Sequence, residues 1–199
     1  MASTSGPFVS RGGQKLDAAL EAFELTVRGL FCADLGAHVG GFTDCLLKHG
    51  ASRVYSLDTS YGVLAWSLRK DERVVAVERE NGLHFDPLSL DGFTPCDLVT
   101  IDLGWTRQRH AIPAALRWLK DGREGRIIAL IKPQYEAAPS ARKSGVLDED
   151  TARRVCTRVL DTMPDLGVRV LNHLRSPLRG GQSRKRVGNV EYLALLARR

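Results

Sequence analysis

Charged side chains stand where several apolar runs of the sequence end. Asp58 closes RVYSLD, Asp102 closes CDLVTID and Lys132 follows RIIALI. Parallel strands present their carboxyl ends at one edge of a sheet, where ligands bind in folds of this kind. A carboxylate there can accept hydrogen bonds from ribose hydroxyls, and a lysine at the end of a buried strand needs partners for its ammonium. These residues predict a ligand site with a charged centre, although Lys132 could also simply reach water.

A glycine-spaced turn follows the first apolar run, in DLGAHVGGFTDCLL. Gly36, Gly40 and Gly41 lack a Cβ and let the backbone turn sharply beside a ligand. His38 stands where the dinucleotide fingerprint GxGxxG has its middle glycine, so that fingerprint is absent. An acid at the turn, Asp34, in place of a phosphate cradle suits a cofactor with a sulfonium and favours S-adenosylmethionine over NAD or ATP. Tight packing without a ligand is the alternative.

Strand-like and helix-like segments alternate along the chain. The strand-like runs cover residues 30–36, 53–58, 73–78, 96–102 and 125–133, with two more at 167–177 and 189–199. The helix-like segments cover residues 12–25, 41–49, 62–70, 111–122 and 147–163. This alternation predicts an α/β fold with a doubly wound, mainly parallel sheet and helices on both faces. The last two strands are joined by a loop and are expected to pair antiparallel.

Composition is typical of a cytoplasmic, globular protein. Of the 199 residues, 43% are hydrophobic and 26% are charged, which is ordinary for a packed core. No apolar run is long enough for a bilayer span or a secretory signal. We expect residues 1–8 to be disordered and residues 9–199 to form one domain. The four dispersed cysteines and five histidines lack close spacing, which indicates buried free thiols and no metal site.

A net charge of +6 favours polyanionic partners such as RNA. The excess is concentrated in RSPLRGGQSRKRVGN, where glycine, serine and proline make a loop. The basic residues proposed to contact RNA phosphates are Arg179, Arg184, Lys185 and Arg186. A run of charge can also be no more than a solvated surface, and the sequence leaves both interpretations open.

Four segments carry a resemblance to a known family: FVSRGGQKLDAALEAF, DLGAHVGGFTDCLLKHGASRVYSLDTSYGVLAWSLRKDERV, IKPQYEA and GNVEYLALL. In this order they resemble the hemolysin-A-like (TlyA) branch of the FtsJ-like methyltransferases, from about Val9 to the end of the chain. The resemblance implies the S-adenosylmethionine-dependent methyltransferase fold, a seven-stranded sheet whose last strand is antiparallel. It also implies methyl transfer to a ribose 2′-hydroxyl of RNA, with ribosomal RNA as the expected partner.

The resemblance also assigns site residues. The family's Lys-Asp-Lys-Glu tetrad falls on Lys15, Asp102, Lys132 and Glu191. Methyl transfer is an in-line displacement, so orientation is expected to supply much of the rate. Lys132 would contact the hydroxyl, and the two carboxylates would hold the two lysines in place. Whether Lys132 also removes the hydroxyl proton is left open by the sequence. The residues implied for the cofactor are Asp34, Gly36, Ala37, His38, Gly40, Gly41, Phe42, Thr43, Asp58, Thr59, Glu78, Asn81 and Asp102.

Two features depart from the family pattern. No S4-type RNA-binding module precedes SRGG in this sequence, so another element or a partner is expected to dock the RNA. DLGWTRQRH replaces an apolar DLSFISL-like segment and brings Trp105, Arg107 and Arg109 to the rim, where they could stack a base and hold phosphate. The replacement also suits a small-molecule or other non-RNA acceptor, which is the second hypothesis. A non-catalytic binding protein is the third, and the complete tetrad argues against it.

Overall fold

One mixed sheet forms the centre of the protein. The computed structural model describes residues 6–138, 146–181 and 187–199. Its strands are β1 (Phe31–Leu35), β2 (Arg53–Asp58), β3 (Val74–Glu78), β4 (Leu98–Ile101), β5 (Arg126–Ile131), β6 (Val168–Arg175) and β7 (Tyr192–Arg198). Its α-helices are α1 (Arg11–Ala22), α2 (Gly41–Lys48), α3 (Trp66–Arg69), α4 (Gln108–Leu116), α5 (Pro133–Glu136) and α6 (Glu149–Asp161). None of the helices in the described ranges is long and apolar enough to cross a membrane.

The strand order is β3-β2-β1-β4-β5-β7-β6. Strands β1 to β5 pair in parallel, and β7 pairs antiparallel with both β5 and β6. The predicted fold class is therefore confirmed: a doubly wound, mainly parallel sheet of seven strands with the last strand antiparallel. The insertion of β7 between β5 and β6 was not predicted.

Helices cover both faces of the sheet, because the strands are apolar on both sides. On one face, Leu16 of α1 and Leu46 of α2 pack against Cys32 of β1. On the other face, Ile112 of α4 and the fully buried Trp118 pack against the alternate strand positions. Two separate apolar layers of this kind are what a sheet buried on both faces requires. All four cysteines are free and buried, as predicted.

Several helices differ from the predicted segments. The segment 62–70 forms only the single turn α3, because Ala65 has an extended ψ of 136° and a helix cannot begin before it. Helix α4 begins three residues before the predicted segment, at Gln108, and ends at Leu116. The short α5 replaces a predicted loop and carries Pro133 in its first turn, a position that proline favours.

The direction of β7 decides which residues meet. Because β7 runs antiparallel to β5, its first residue lies beside the last residue of β5, and Tyr192 pairs with Ile131. Glu191, which immediately precedes β7, is thereby brought to the same edge as Lys132. The N-terminal ends of α1 and α2 lie together as well, since a Cβ on Gly41 would overlap the Ser10 hydroxyl. The fold thus gathers residues from both ends of the chain.

Candidate active site

The glycine turn connects β1 to α2 and lies against the end of β4. Gly36 has a φ of +93°, which strains any residue with a side chain. A Cβ on Gly36 would lie 2.8 Å from the Asp102 main-chain oxygen. Both Gly36 N and Ala37 N donate to the Leu57 carbonyl oxygen, at 2.9 and 3.1 Å. The turn is therefore fixed closely between β2 and β4, and glycine is required at its first position.

Asp34 lies beneath this turn and is fully buried. Its Oδ2 accepts hydrogen bonds from Thr43 N and Oγ1, at 2.9 and 2.8 Å, and its Oδ1 accepts one from Thr100 Oγ1 at 3.1 Å. Burial raises the pKa of Asp34 to about 7, although these hydrogen bonds oppose the rise. Asp34 and Thr43 are both enclosed, and their hydrogen bonds hold α2 to β1. Their assignment as cofactor contacts stays a prediction.

Asp58 ends β2 and faces a cavity of about 520 Å³. Its Oδ2 accepts a hydrogen bond from His38 N at 2.8 Å, and its Oδ1 accepts hydrogen bonds from Ser60 N at 2.8 Å and from Ser60 Oγ. Burial alone would raise the pKa of Asp58, but the hydrogen bonds from Ser60 and His38 outweigh it and lower the pKa. Asp58 is therefore an ionised carboxylate at neutral pH.

We call this space the cofactor cavity. The predicted cofactor residues that line it are Gly36, His38, Asp58, Thr59, Asn81 and Asp102. Glu78, also predicted, does not line it: its Oε1 accepts a hydrogen bond from Gly62 N at 2.9 Å and pairs with Arg69. Glu80, two residues later, lines the cavity instead. Glu78 therefore holds the segment after β2, and its assignment as a cofactor contact stays a prediction.

A smaller space of about 190 Å³, the inner cavity, continues from the cofactor cavity toward α1. The predicted residues along it are Gly36, Ala37, His38, Gly41, Phe42 and Asp102, and Lys15 lines it from α1. Gly40, with a φ of +99°, supports the turn from behind, since Leu64 and Leu68 leave no room for a Cβ there. Gly40, the remaining predicted glycine, thus allows Leu64 and Leu68 to pack against the turn.

These two cavities fit the predicted cofactor. The larger one combines a carboxylate suited to ribose hydroxyls, on Asp58, with apolar walls from Leu57, Leu83 and Leu103 suited to a purine. The smaller one borders the first turn of α2, where helical N–H groups lack helical acceptors and favour an anionic group. Gly36 and Asp102 line both cavities, and the Gly36 backbone lies close to the Asp102 main chain where the two cavities meet.

The four residues of the predicted tetrad form two ion pairs around a third space of about 460 Å³, which we call the tetrad cavity. Lys15 Nζ lies 2.5 Å from Glu191 Oε2, and Lys132 Nζ lies 2.6 Å from Asp102 Oδ1. The side chain of Glu191 is 2% exposed and that of Lys15 is 11% exposed. Lys132 Nζ also donates to the main-chain oxygens of Asp102 and Leu103, at 3.3 and 3.2 Å. The structure therefore brings all four residues together.

Gly180 and Asn189 are site residues that the sequence did not single out. A Cβ on Gly180 would overlap the Glu191 carboxylate, so only glycine fits beside it. The main chains of Gly180 and Asn189 exchange two hydrogen bonds of 2.9 Å. Asn189 Oδ1 also accepts a hydrogen bond from Leu147 N at 2.9 Å. The glycine pair in the basic segment was the available signal, and it was interpreted as loop composition.

An aromatic pair stands at the rim of the tetrad cavity. Trp105 is 83% exposed and has a φ of +56°. Its ring stacks on Tyr135, with centroids 4.9 Å apart and planes 30° apart. A large exposed side chain on a strained backbone is uncommon and points to a functional surface. Tyr135 is not among the predicted site residues, because the segment after RIIALIKP is predicted to be a loop.

The arginines predicted to contact RNA differ in their exposure to solvent and in their partners within the protein. Arg109 is exposed and its Nε lies 3.0 Å from His110 Nε2. Arg107 Nε donates to the Tyr135 carbonyl oxygen at 3.3 Å, and Arg179 pairs with Glu149. These last two arginines are therefore engaged by partners within the protein. The predicted contacts outside the described residues are Arg184, Lys185 and Arg186.

Comparison with known proteins gives similar relatives over most of the chain. Hemolysin A of Brachyspira hyodysenteriae is 35% identical over 189 residues, which is 94% of this chain and 75% of the relative. The Mycobacterium tuberculosis protein named 16S/23S rRNA (cytidine-2′-O)-methyltransferase TlyA is 39% identical over 191 residues, 95% of this chain and 68% of the relative. A solved candidate hemolysin from Streptococcus thermophilus matches with a TM-score of 0.89 at 34% identity, covering 99% of this chain and 69% of that one.

More distant solved S-adenosylmethionine-dependent methyltransferases share the fold, at 16 to 20% identity. S-adenosylmethionine is the cofactor of this class, which confirms the predicted fold and cofactor. The family model described as FtsJ-like methyltransferase matches residues 8–196. The chain therefore belongs to the FtsJ-like methyltransferase family.

Proposed function

We propose that this enzyme transfers a methyl group from S-adenosylmethionine to a ribose 2′-hydroxyl of ribosomal RNA. We further propose that residues 9–199 act as one methyltransferase domain in the cytoplasm. The observation that carries the proposal is the pair of lysine–carboxylate contacts, Lys15 with Glu191 and Lys132 with Asp102, around one cavity. The activity in the name of the Mycobacterium tuberculosis relative supports the choice of acceptor.

Asp102 is proposed to mark the position of the transferred methyl group, because it lines all three cavities. In this arrangement Asp58 holds the ribose of the cofactor and Asn81 lies near its adenine. The methionine part occupies the inner cavity, where the first turn of α2 attracts its carboxylate. The acceptor then enters through the tetrad cavity on the other side of Asp102, which allows an in-line approach.

The cofactor supplies an electrophilic methyl group, so the protein must orient the acceptor oxygen and let its proton leave. Lys132 Nζ directs its donors at the Asp102 carboxylate and at two main-chain oxygens. The two main-chain contacts, at 3.3 and 3.2 Å, are the longer ones. A ribose hydroxyl can replace one of them and hydrogen bond to Nζ, while Asp102 keeps Nζ in place. Lys132 is therefore proposed as the residue that contacts the reacting oxygen.

The rim is proposed to hold the RNA around the acceptor nucleotide. Trp105 and Tyr135 offer an aromatic surface on which a base can stack, and such stacking contributes about 1–3 kcal/mol per base. Arg109 is exposed beside them and can contact phosphate. The net charge of +6 favours association with RNA at low ionic strength. The contacts expected of Arg184, Lys185 and Arg186 remain predictions.

Methyl transfer from labelled S-adenosylmethionine tests the proposal. The protein is incubated with ribosomal RNA and, separately, with a small-molecule extract, and the label is followed into alkali-resistant dinucleotides, which form only at 2′-O-methylated riboses. We expect label in the RNA with the wild-type protein and with Lys120→Ala, a control far from the site, and none with Lys132→Ala. Label confined to the small-molecule extract would replace the proposal with the second hypothesis.

A further inference from the structure

A cluster of metal-ligating side chains lies outside the methyltransferase site, between α1 and α2. Asp17, Cys45 and His49 each present one donor atom, and these atoms all lie within 4.8 Å of one another. His49 Nε2 is 2.7 Å from Asp17 Oδ1. The His49 and Asp17 side chains are 38% and 45% exposed, whereas Cys45 is fully buried. The cluster is therefore buried on the side of Cys45 and open to solvent on the side of Asp17 and His49.

The donor types and their spacing suit zinc. Cys45 and His49 are four residues apart, at one helical turn, so their side chains lie on one face. Asp17 lies on the facing helix, and Glu21 follows it by one turn. Thiolate, imidazole and carboxylate are the ligands that zinc takes, with four in a tetrahedron. Zinc bonds of about 2.1 Å place N and O ligands about 3.4 Å apart, so the His49–Asp17 contact must widen by less than about 1 Å.

The charge around the cluster also favours a cation. The adjoining cleft, of about 510 Å³, is lined by Asp17, Glu21, Glu24 and His49 together with uncharged side chains. Among the described residues that line this cleft there is no lysine or arginine. An acidic concavity on a chain with a net charge of +6 is unsuited to RNA and attracts cations instead.

We propose that Asp17, Cys45 and His49 bind a zinc ion, with Glu21 or a water molecule as the fourth ligand. Binding replaces the Cys45 thiol proton and the His49–Asp17 hydrogen bond by bonds to the metal, and the thiol proton is released to solvent. Asp17 lies in the middle of α1, two residues after Lys15, and His49 is the residue at which α2 ends. Zinc there would join the helix that carries Lys15 to the helix that begins at the glycine turn.

Cobalt and zinc binding to the chelator-treated full chain test this proposal. We expect one zinc ion per chain by calorimetry, a higher unfolding temperature with zinc, and a cobalt–thiolate absorption band. Asp17→Asn and His49→Ala change exposed side chains, so these variants should fold and should bind zinc at least about tenfold more weakly, the lower limit for loss of a supporting partner. Cys45→Ser should lose the cobalt–thiolate band.

Cys156→Ser is the matched control, because Cys156 is also a buried free thiol and lies on α6, away from the cluster. It should keep both the stoichiometry and the cobalt band. Absence of zinc binding to the wild-type chain would overturn the proposal. Binding that is unchanged in Asp17→Asn and His49→Ala would overturn it equally, since the metal would then be held elsewhere.

Discussion

The buried Lys15–Glu191 pair gives a prediction in which one variant keeps the stability of the protein and loses its activity. Replacing Glu191 by Met leaves the Lys15 ammonium buried without its counter-charge, and replacing Lys15 by Met leaves the carboxylate in the same position. Replacing both by Met removes both charges and keeps unbranched side chains of similar length. The three variants therefore test whether the pair serves the fold or the reaction.

The exposed fractions decide the expected magnitude. The Glu191 side chain is 2% exposed and Lys15 is 11% exposed, at an Nζ–Oε2 distance of 2.5 Å. Removing one partner of a buried pair lowers the free energy of unfolding by about 3–5 kcal/mol. Replacing both partners by apolar groups of similar volume is neutral, or stabilising by about 1–4 kcal/mol. We expect the double variant to recover the stability that each single variant loses.

Urea unfolding followed by circular dichroism, with methyl transfer measured on the same samples, is the assay. All three variants should lose methyl transfer, because each of them changes at least one residue of the proposed tetrad. Asp150→Asn, which breaks the exposed pair with Arg153, is the control and should leave both measurements unchanged. Single variants as stable as the wild-type protein, or a double variant that keeps full activity, would refute the reasoning.

Three further predictions concern residues that line the cofactor cavity or support its walls. Burial raises the pKa of Asp34 from 3.8 to about 7, so the free energy of unfolding should fall as pH rises from about 4 to 7 and Asp34 ionises. Urea unfolding at several pH values should show this slope in the wild-type protein and a flatter slope in Asp34→Asn. An unchanged slope in the variant would contradict the prediction. Gly36 has a φ of +93°, so Gly36→Ala should lower the free energy of unfolding by more than about 1 kcal/mol. It should also weaken cofactor binding measured by calorimetry. A variant with wild-type stability and affinity would contradict the argument from backbone strain. Arg117 donates to three main-chain oxygens of residues 82–85, so Arg117→Met should raise KM for the cofactor several-fold with kcat unchanged; a fall in kcat alone would contradict this.

The fold was predictable because its strands are buried on both faces. Apolar runs such as RIIALI at β5 have no helical period, and the helices between them carry one apolar face. The place of β7 between β5 and β6 was not predictable, because periodicity reports burial and carries no information on which strand is the neighbour. That insertion is what brings Glu191 to Lys132.

The site was predictable in part. Asp58 and Asp102 follow from their positions at strand ends, whereas Lys15 and Glu191 came only from the family resemblance, since they lie 176 residues apart. Asp34 and Glu78 have the residue types of a binding site but are engaged within the protein. A sequence does not show whether a carboxylate faces a cavity or a neighbouring N–H group.

The Asp17, Cys45 and His49 cluster shows the same limit for metal ligands. The sequence contains no pair of closely spaced cysteines or histidines, which led to the expectation of no metal site. Cys45 and His49 do have the spacing of one helical turn, which was the available signal. The third residue of the proposed zinc site, Asp17, is brought to them by the packing of α1 on α2. Spacing along the chain therefore does not show which side chains meet between two helices.

Nucleoside analysis of ribosomal RNA treated with the protein tests the central claim most directly. RNA is incubated with S-adenosylmethionine and either the wild-type protein or Lys132→Met, then digested to nucleosides and measured by mass spectrometry, with cofactor affinity measured in parallel. The account predicts a 2′-O-methylated nucleoside with the wild-type protein, and none with Lys132→Met at nearly unchanged affinity for the cofactor. A methyl group on the base, or a 2′-O-methylated product that persists with Lys132→Met, would contradict it.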